Sequence, residues 1–125
     1  MIKLLWIGIG GFLGSILRFA ASQYIHRLAK NNSFPLGTLS VNIFGCFLIG
    51  FLSKFFEERF LVQPELRLFL VIGVLGGFTT FSSFSYETIA LLQEGNIFQA
   101  GINIIGSIFL CLLATWLGII VGKIS

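Results

Sequence analysis

Hydroxyl groups and aromatic rings are concentrated in the middle of a long apolar segment of this sequence. From Gly73 to Glu87 the chain reads GVLGGFTTFSSFSYE, a run that contains the side chains of Thr80, Phe81, Ser82, Ser83 and Phe84. At membrane depth, backbone that is not helical is tolerated only where it is buried in protein or lines a cavity. A half-helix that begins there directs its positive end toward an anion, and the freed carbonyls can bind a cation. The run therefore predicts a helix broken in the middle of the membrane, at an ion site.

Phenylalanine is unusually frequent, with 15 residues, and Phe78, Phe81 and Phe84 recur at three-residue spacing. Packing is the ordinary reason for such spacing. The edge of an aromatic ring is nevertheless electropositive, so rings presented edge-on can replace part of the hydration shell of a small anion. The accompanying hydrogen-bond donors would be Asn42, Thr80, Ser82 and Ser83. Composition alone does not choose among small anions.

Polar residues also interrupt the other apolar segments. Asn42 lies inside the second segment, where it either forms a hydrogen bond between helices or donates to an ion in a dry path. In the last segment polar side chains recur every four residues and so share one helix face. They are Asn103, Ser107, Cys111 and Thr115. This face is either a helix interface or a polar track through the membrane.

Two charged residues lie inside or next to apolar sequence. Arg18 lies within the first segment, where it either extends its guanidinium to the interface or lines an aqueous vestibule. Glu87 follows Phe84 by about one turn. It is either a residue of the pore mouth or a carboxylate that the dipole favours near the start of the second half-helix.

The apolar segments lack the combinations of side chains that are typical of enzyme active sites. The sequence has no aspartate, and its one histidine, His26, has no nearby cysteine or second histidine with metal-ligand spacing. Cys46 and Cys111 lie inside apolar segments, so we expect small buried residues rather than a disulfide. Proton-relay carboxylates are also absent from the middle of every segment. We therefore expect passive permeation and no enzymatic activity.

Composition identifies an all-α integral membrane protein. Of the 125 residues, 56% are hydrophobic and 10% charged, whereas roughly a quarter of the residues of a soluble domain are charged. A membrane span needs about 20 apolar residues, and four segments qualify, at residues 4–25, 36–56, 66–92 and 97–122. They occupy nearly the whole chain, so we expect one domain over residues 1–125.

The net charge of +3 comes from lysines and arginines at the ends of these segments. Such residues anchor helices at the membrane interface, so the charge does not indicate a nucleic-acid partner. The helix ends on the two sides of the membrane differ only slightly in their number of lysines and arginines. Four helices are too few to enclose a pore, so we expect an oligomer. The small charge difference between the two sides permits both orientations in the membrane, and two copies can then pair antiparallel about an axis in the membrane plane.

Glycines spaced by four residues indicate close helix packing. The pairs are Gly10 with Gly14 and Gly118 with Gly122. Taken alone, these pairs would also suit a scaffold protein or a small dual-topology multidrug exporter. The exporter needs a carboxylate inside the first segment, which has none, and the scaffold leaves the hydroxyl-rich run unexplained.

Three motifs together resemble the small fluoride channels of the Fluc, or CrcB, family. They are GGFLG at residues 10–14 with Arg18, GTLSVN at residues 37–42 with Gly45, and GGFTTFSSFSYE at residues 76–87. The resemblance runs from end to end, and the third motif is the most specific. It implies a fluoride channel of the bacterial inner membrane that exports fluoride and confers resistance. It further implies an antiparallel, dual-topology homodimer with two fluoride pores and a structural Na⁺ at its centre.

The resemblance also implies roles for individual residues. Phe81 and Phe84 would line the fluoride path with their ring edges, and Asn42 would donate to the ion. Backbone carbonyls of Gly76 and Thr79 would hold the Na⁺. Ser107 and Thr115 match a hydroxyl track, whereas Asn103 and Cys111 stand where a tyrosine and a serine are expected. Arg18 would lie near a pore entrance.

Overall fold

The computed structural model describes residues 1–30, 33–59 and 62–125, and every regular element in those ranges is helical. Helix α1 covers Ile2–Ala29, and α2 covers Leu36–Glu58. The third span consists of α3 (Pro64–Arg67), a π-helical segment (Leu68–Leu75), α4 (Gly76–Phe78) and α5 (Phe81–Gln93). The last span is α6 (Ile97–Ile124).

Within the described residues, four helical stretches are long and apolar enough to cross a membrane: Ile2–Ala29, Leu36–Glu58, Pro64–Gln93 and Ile97–Ile124. Each contains one of the segments predicted from hydropathy, so the prediction of four spanning helices is confirmed. At about 1.5 Å per residue, even the shortest of these stretches exceeds the roughly 30 Å of a hydrocarbon core. The chain is therefore a multi-pass membrane protein.

The chain reverses direction between α5 and α6, and the local sequence there ends α5. Gly95 has a φ of 81°, a left-handed conformation that glycine adopts without steric cost. Its N–H donates to the Leu92 carbonyl at 3.1 Å, and the Asn96 N–H donates to the Leu91 carbonyl at 2.8 Å. This pair of bonds is a Schellman motif, and it allows α6 to begin directly after α5.

Glycines bring α1 against the first half of the third span. A Cβ atom on Gly10 or Gly14 would overlap the carbonyl oxygen of Phe69 or Val74. Gly77 faces α1 from the other side, where an added Cβ would lie 2.6 Å from the Gly11 carbonyl oxygen. The small-residue spacing predicted for α1 is thus used for backbone contact.

Helices α2 and α6 also pack through glycines, and they run parallel. A Cβ on Gly50 would overlap the Thr115 carbonyl, and a Cβ on Gly122 would lie 2.7 Å from the Phe51 carbonyl oxygen. From Gly118 to Gly122 on α6, the contacted residue on α2 moves from Phe47 to Phe51, so the two helices run in the same direction. The predicted packing role of the Gly118–Gly122 pair is confirmed, because Gly118 in turn meets the Phe47 carbonyl.

Large apolar side chains cover the outer surface of the chain. Phe12 on α1, Ile105 on α6 and Phe109 on α6 are each more than 60% exposed. Such a surface requires lipid or another protein chain as its neighbour, because contact with water would be costly over so large an apolar area.

Gly14→Ala tests the backbone contact between α1 and the third span. The added Cβ meets the backbone of Val74 and Phe78, which cannot rotate away, so we expect a loss of about 1–3 kcal/mol in the free energy of unfolding. Gly8→Ala is the matched control, because nothing lies within 4 Å of its added Cβ. Unfolding in detergent measures both variants, and equal stabilities would contradict the proposed contact.

Candidate functional site

The third span is interrupted at Thr79 and Thr80. Both residues have extended backbone, with ψ values of 154° and 122°. The Thr79 N–H and hydroxyl both donate to the Leu75 carbonyl at 3.0 Å, which closes the end of α4. The Thr80 hydroxyl accepts from the Ser83 N–H at 3.1 Å, which caps the start of α5. Two adjacent threonines therefore end one helix and begin the next.

Asn42 bonds to the backbone of Thr80 with both of its polar atoms. Its Oδ1 accepts from the Thr80 N–H at 2.8 Å, and its Nδ2 donates to the Thr80 carbonyl at 3.0 Å. The side-chain amide thus replaces the backbone groups that would pair with the N–H and the carbonyl of Thr80 in a continuous helix. This is the interhelical hydrogen bond that the sequence left as one of two alternatives. The second N–H of Nδ2 has no partner among the residues that the structure describes.

The interruption also frees carbonyl groups. In a continuous helix the Gly76 carbonyl would accept from the Thr80 N–H, and the Thr79 carbonyl from the Ser83 N–H. Here the Thr80 N–H donates to Asn42, and the Ser83 N–H donates to the Thr80 hydroxyl. Both carbonyls, which the resemblance assigns to Na⁺, therefore lack their helical donors.

Hydroxyl groups surround the first turn of α5. The Thr80 Oγ1 lies 3.1 Å from the Ser82 Oγ and donates to the Ser83 Oγ at 3.3 Å. Helix α5 has 13 residues, so its N-terminus carries partial positive charge at this cluster. The cluster combines hydroxyl groups with the positive end of a helix.

A cavity of about 350 Å³ lies beside the interruption. The lining residues that the sequence had singled out are Asn42, Thr79, Thr80, Phe81, Phe84, Ser107 and Cys111. The rings of Phe81 and Phe84 have centroids 5.2 Å apart and planes tilted by 45°. Phe81 is 77% exposed in the single chain. Donors and rings that are distant in sequence therefore meet at one place.

A buried chain of hydrogen bonds extends from α5 to α6. The Thr88 hydroxyl donates to the Phe84 carbonyl at 2.7 Å and accepts from the Asn103 Nδ2 at 2.9 Å. The Asn103 Oδ1 accepts from the Ser107 hydroxyl at 3.4 Å. Sequence reasoning missed Thr88, although a hydroxyl four residues after Phe84 in an apolar segment was a usable signal.

The remaining predicted residues lie outside this cavity. Thr115 donates to the Cys111 carbonyl of its own helix at 3.0 Å. Arg18 is partly buried and forms no hydrogen bond or ion pair with the residues that the structure describes. The residues that do not line the cavity are Arg18, Gly76, Ser82, Ser83, Glu87, Asn103 and Thr115.

Glu87 lies at a separate junction of α1, α2 and α5. Its Oε1 accepts from the Thr38 hydroxyl at 2.7 Å, while its buried Oε2 has no hydrogen-bond partner among the described residues. Two small cavities, of about 210 and 130 Å³, adjoin it, and both are also lined by His26. Glu87 thus borders open space on more than one side.

The sequence also matches known proteins. A family model described as "CrcB-like protein, Camphor Resistance (CrcB)" matches residues 5–119. A protein of Geotalea daltonii is 45% identical over 123 residues, which are 98% of each chain. A protein of Opitutus terrae is 50% identical over 116 residues, or 91% of this chain and 87% of the relative. Both relatives are named "Fluoride-specific ion channel FluC", as is a Campylobacter jejuni protein that is 46% identical over 120 residues.

Asn42→Ala tests the amide that supports the interruption. The change leaves the N–H and the carbonyl of Thr80 without a partner, and one unsatisfied buried polar group costs about 1–3 kcal/mol. We expect unfolding in detergent at a lower denaturant concentration, and faster hydrogen exchange at residues 79–83. Ser85→Ala is the matched control, because the Ser85 hydroxyl donates to the Phe81 carbonyl of its own helix. Unchanged exchange at residues 79–83 in Asn42→Ala would rule out the supporting role.

Proposed function

The chain belongs to the CrcB family, and we propose that it is a passive ion channel selective for fluoride. The names of its relatives support fluoride as the ion. The observation that carries the proposal is the cavity in which Phe81, Phe84 and Asn42 meet at the interrupted helix. The apolar segments contain no combination of side chains typical of an enzyme active site, in keeping with relatives that are named as channels.

Fluoride must exchange its hydration shell for protein groups in order to pass. An unpaired charge in an apolar environment is very costly, so the path must supply donors at each position. Near Phe81 these are the ring edges, the unused N–H of Asn42 and the hydroxyl of Thr80. The positive end of α5 adds a favourable potential. A narrow path would also exclude larger anions by size.

We propose that the fluoride path continues along the polar groups of α5 and α6. The hydrogen-bonded chain from Phe84 through Asn103 to Ser107 supports this course, because hydroxyl groups can reorient to donate to a passing anion. The proposed path residues are Asn42, Thr80, Phe81, Ser82, Ser83, Phe84, Asn103, Ser107 and Thr115. Arg18 and Glu87 would line the aqueous vestibules.

We further propose that two copies pair antiparallel, with the interruption near the bilayer centre. The apolar outer surface and the exposed ring of Phe81 support a partner chain. In such a pair, the Gly76 and Thr79 carbonyls of both copies would face a common centre. Carbonyl oxygens are suitable ligands for a hard cation such as Na⁺, and these carbonyls lack their helical donors, so the residues present fit the ion.

The proposed setting is the inner membrane of a bacterium. Fluoride enters a cell as the neutral weak acid HF, dissociates in the cytoplasm and accumulates there. A passive, selective channel would let the anion leave down its gradient. Export and resistance to fluoride follow from this chemistry without any coupling to a second ion.

Ion efflux from liposomes tests the proposed function. Liposomes that contain the purified chain should release fluoride rapidly, with chloride release no faster than from empty liposomes, as read with ion-selective electrodes. Comparable release of both anions would contradict selectivity. No release of either anion by folded protein would favour an exporter or a scaffold.

Phe81→Ile and Phe84→Ile test the ring edges. Isoleucine is apolar but has no electropositive edge, and the loss of about 0.5–1.5 kcal/mol of favourable interaction should slow fluoride efflux by up to about tenfold. Phe98→Ile is the matched control, since Phe98 is 80% exposed and does not line the cavity. Wild-type efflux from both test variants, each still an oligomer by size-exclusion chromatography, would remove the rings from the mechanism.

A further inference from the structure

The two cysteines of the chain face the same cavity from neighbouring helices. Cys46 on α2 and Cys111 on α6 both line the cavity of about 350 Å³, and both are free thiols. The sequence contains no other cysteine, so this pair is a distinct feature of the cavity wall.

The parallel packing of α2 and α6 places these thiols side by side. Gly50 contacts the Thr115 backbone, and these residues come four positions after Cys46 and Cys111. Asn42 and Ser107, which come four positions before the cysteines, line the same cavity. The two cysteines therefore face the same cavity at a similar level of the two helices, one turn from the Asn42 amide.

Two adjoining thiols without further ligands suit a soft cation that binds two ligands in a line. Thiolates favour soft cations over hard ones. Zn²⁺ needs about four ligands, and no group of three or more His, Cys, Asp or Glu side chains is placed to hold a metal among the residues the structure describes. Hg²⁺ with two thiolates forms an uncharged complex, which suits a wall that also contains Ile108 and Leu112.

We propose that Cys46 and Cys111 together bind one Hg²⁺ ion, or another soft divalent cation with the same two-coordinate preference, in the wall of the cavity. Each sulfur forms a bond to the metal as its thiol releases a proton. One Hg²⁺ and two thiols thus give Cys46–S–Hg–S–Cys111 and two protons, with no change of oxidation state.

Occupation of this site slows fluoride passage, a consequence that rests on the proposed function. The metal lies one helical turn, about 5.4 Å along the axis, from Asn42 and Ser107. It fills space beside the ring edges and the donors of the proposed path. We expect fluoride efflux to fall by about tenfold or more, as a barrier higher by about 1.4 kcal/mol would produce.

Metal binding by the purified protein tests the site without any measurement of flux. The protein in detergent is titrated with HgCl₂ in the presence of excess mercaptoethanol, and the remaining free cysteines are alkylated and counted by mass spectrometry. We expect saturation at one Hg²⁺ per chain with both cysteines protected. Cys46→Ser and Cys111→Ser should each lose protection of the remaining cysteine, because a single thiolate does not outcompete the monothiol. Two Hg²⁺ per chain, or equal protection in a single variant, would overturn the paired site.

Fluoride efflux with and without metal tests the block. Each protein is compared with its own metal-free rate, and Zn²⁺ serves as the control for divalent charge. Wild-type efflux should fall with Hg²⁺, recover after washing with excess dithiol and remain unchanged with Zn²⁺, while both serine variants should resist Hg²⁺. Binding at one Hg²⁺ per chain without loss of efflux would overturn the block. Absence of fluoride efflux before metal is added would contradict the proposed function, whereas the binding titration still decides the metal site.

Discussion

The need to satisfy backbone hydrogen bonds away from water governs this structure. A chain in lipid has no solvent partner for a peptide group, so a helix can be interrupted only where the protein supplies replacements. Asn42 supplies two of them to Thr80, and the hydroxyls of Thr79 and Thr80 supply others within the third span. The groups that make the interruption possible are also the ones that border the cavity.

Close helix packing is the condition for that arrangement. The amide of Asn42 is short and reaches the third span only if α2 lies near it. Glycines at the contacts of α1 with the third span, and of α2 with α6, bring the backbones together where any side chain would separate them. Helix packing and site geometry are therefore set by the same contacts, and a change in one alters the other.

The polar groups of the cavity have few surplus hydrogen-bonding atoms. Asn42 uses its oxygen and one N–H within the protein, and the hydroxyl of Ser107 donates to Asn103, which lies outside the cavity. An ion that passes must therefore interact with reorienting hydroxyls, one remaining amide N–H and ring edges. A narrow path lined by these groups would exclude larger anions by size, and this gives the proposed selectivity a physical basis.

The sequence by itself determined the four spans, the glycine spacing of the first and last spans and the run around Thr80, because hydropathy and residue spacing are local properties of a chain. It also led to the family through motifs at residues 10–14, 37–42 and 76–87. Only the tertiary structure decided that Asn42 bonds to Thr80, that Thr88 links Phe84 to Asn103, and that Cys46 and Cys111 line one cavity. These pairings depend on the direction and register of helices that are distant in sequence but packed together in the fold. A one-dimensional pattern shows that a polar side chain needs a partner, but the packing of the helices selects which partner it has.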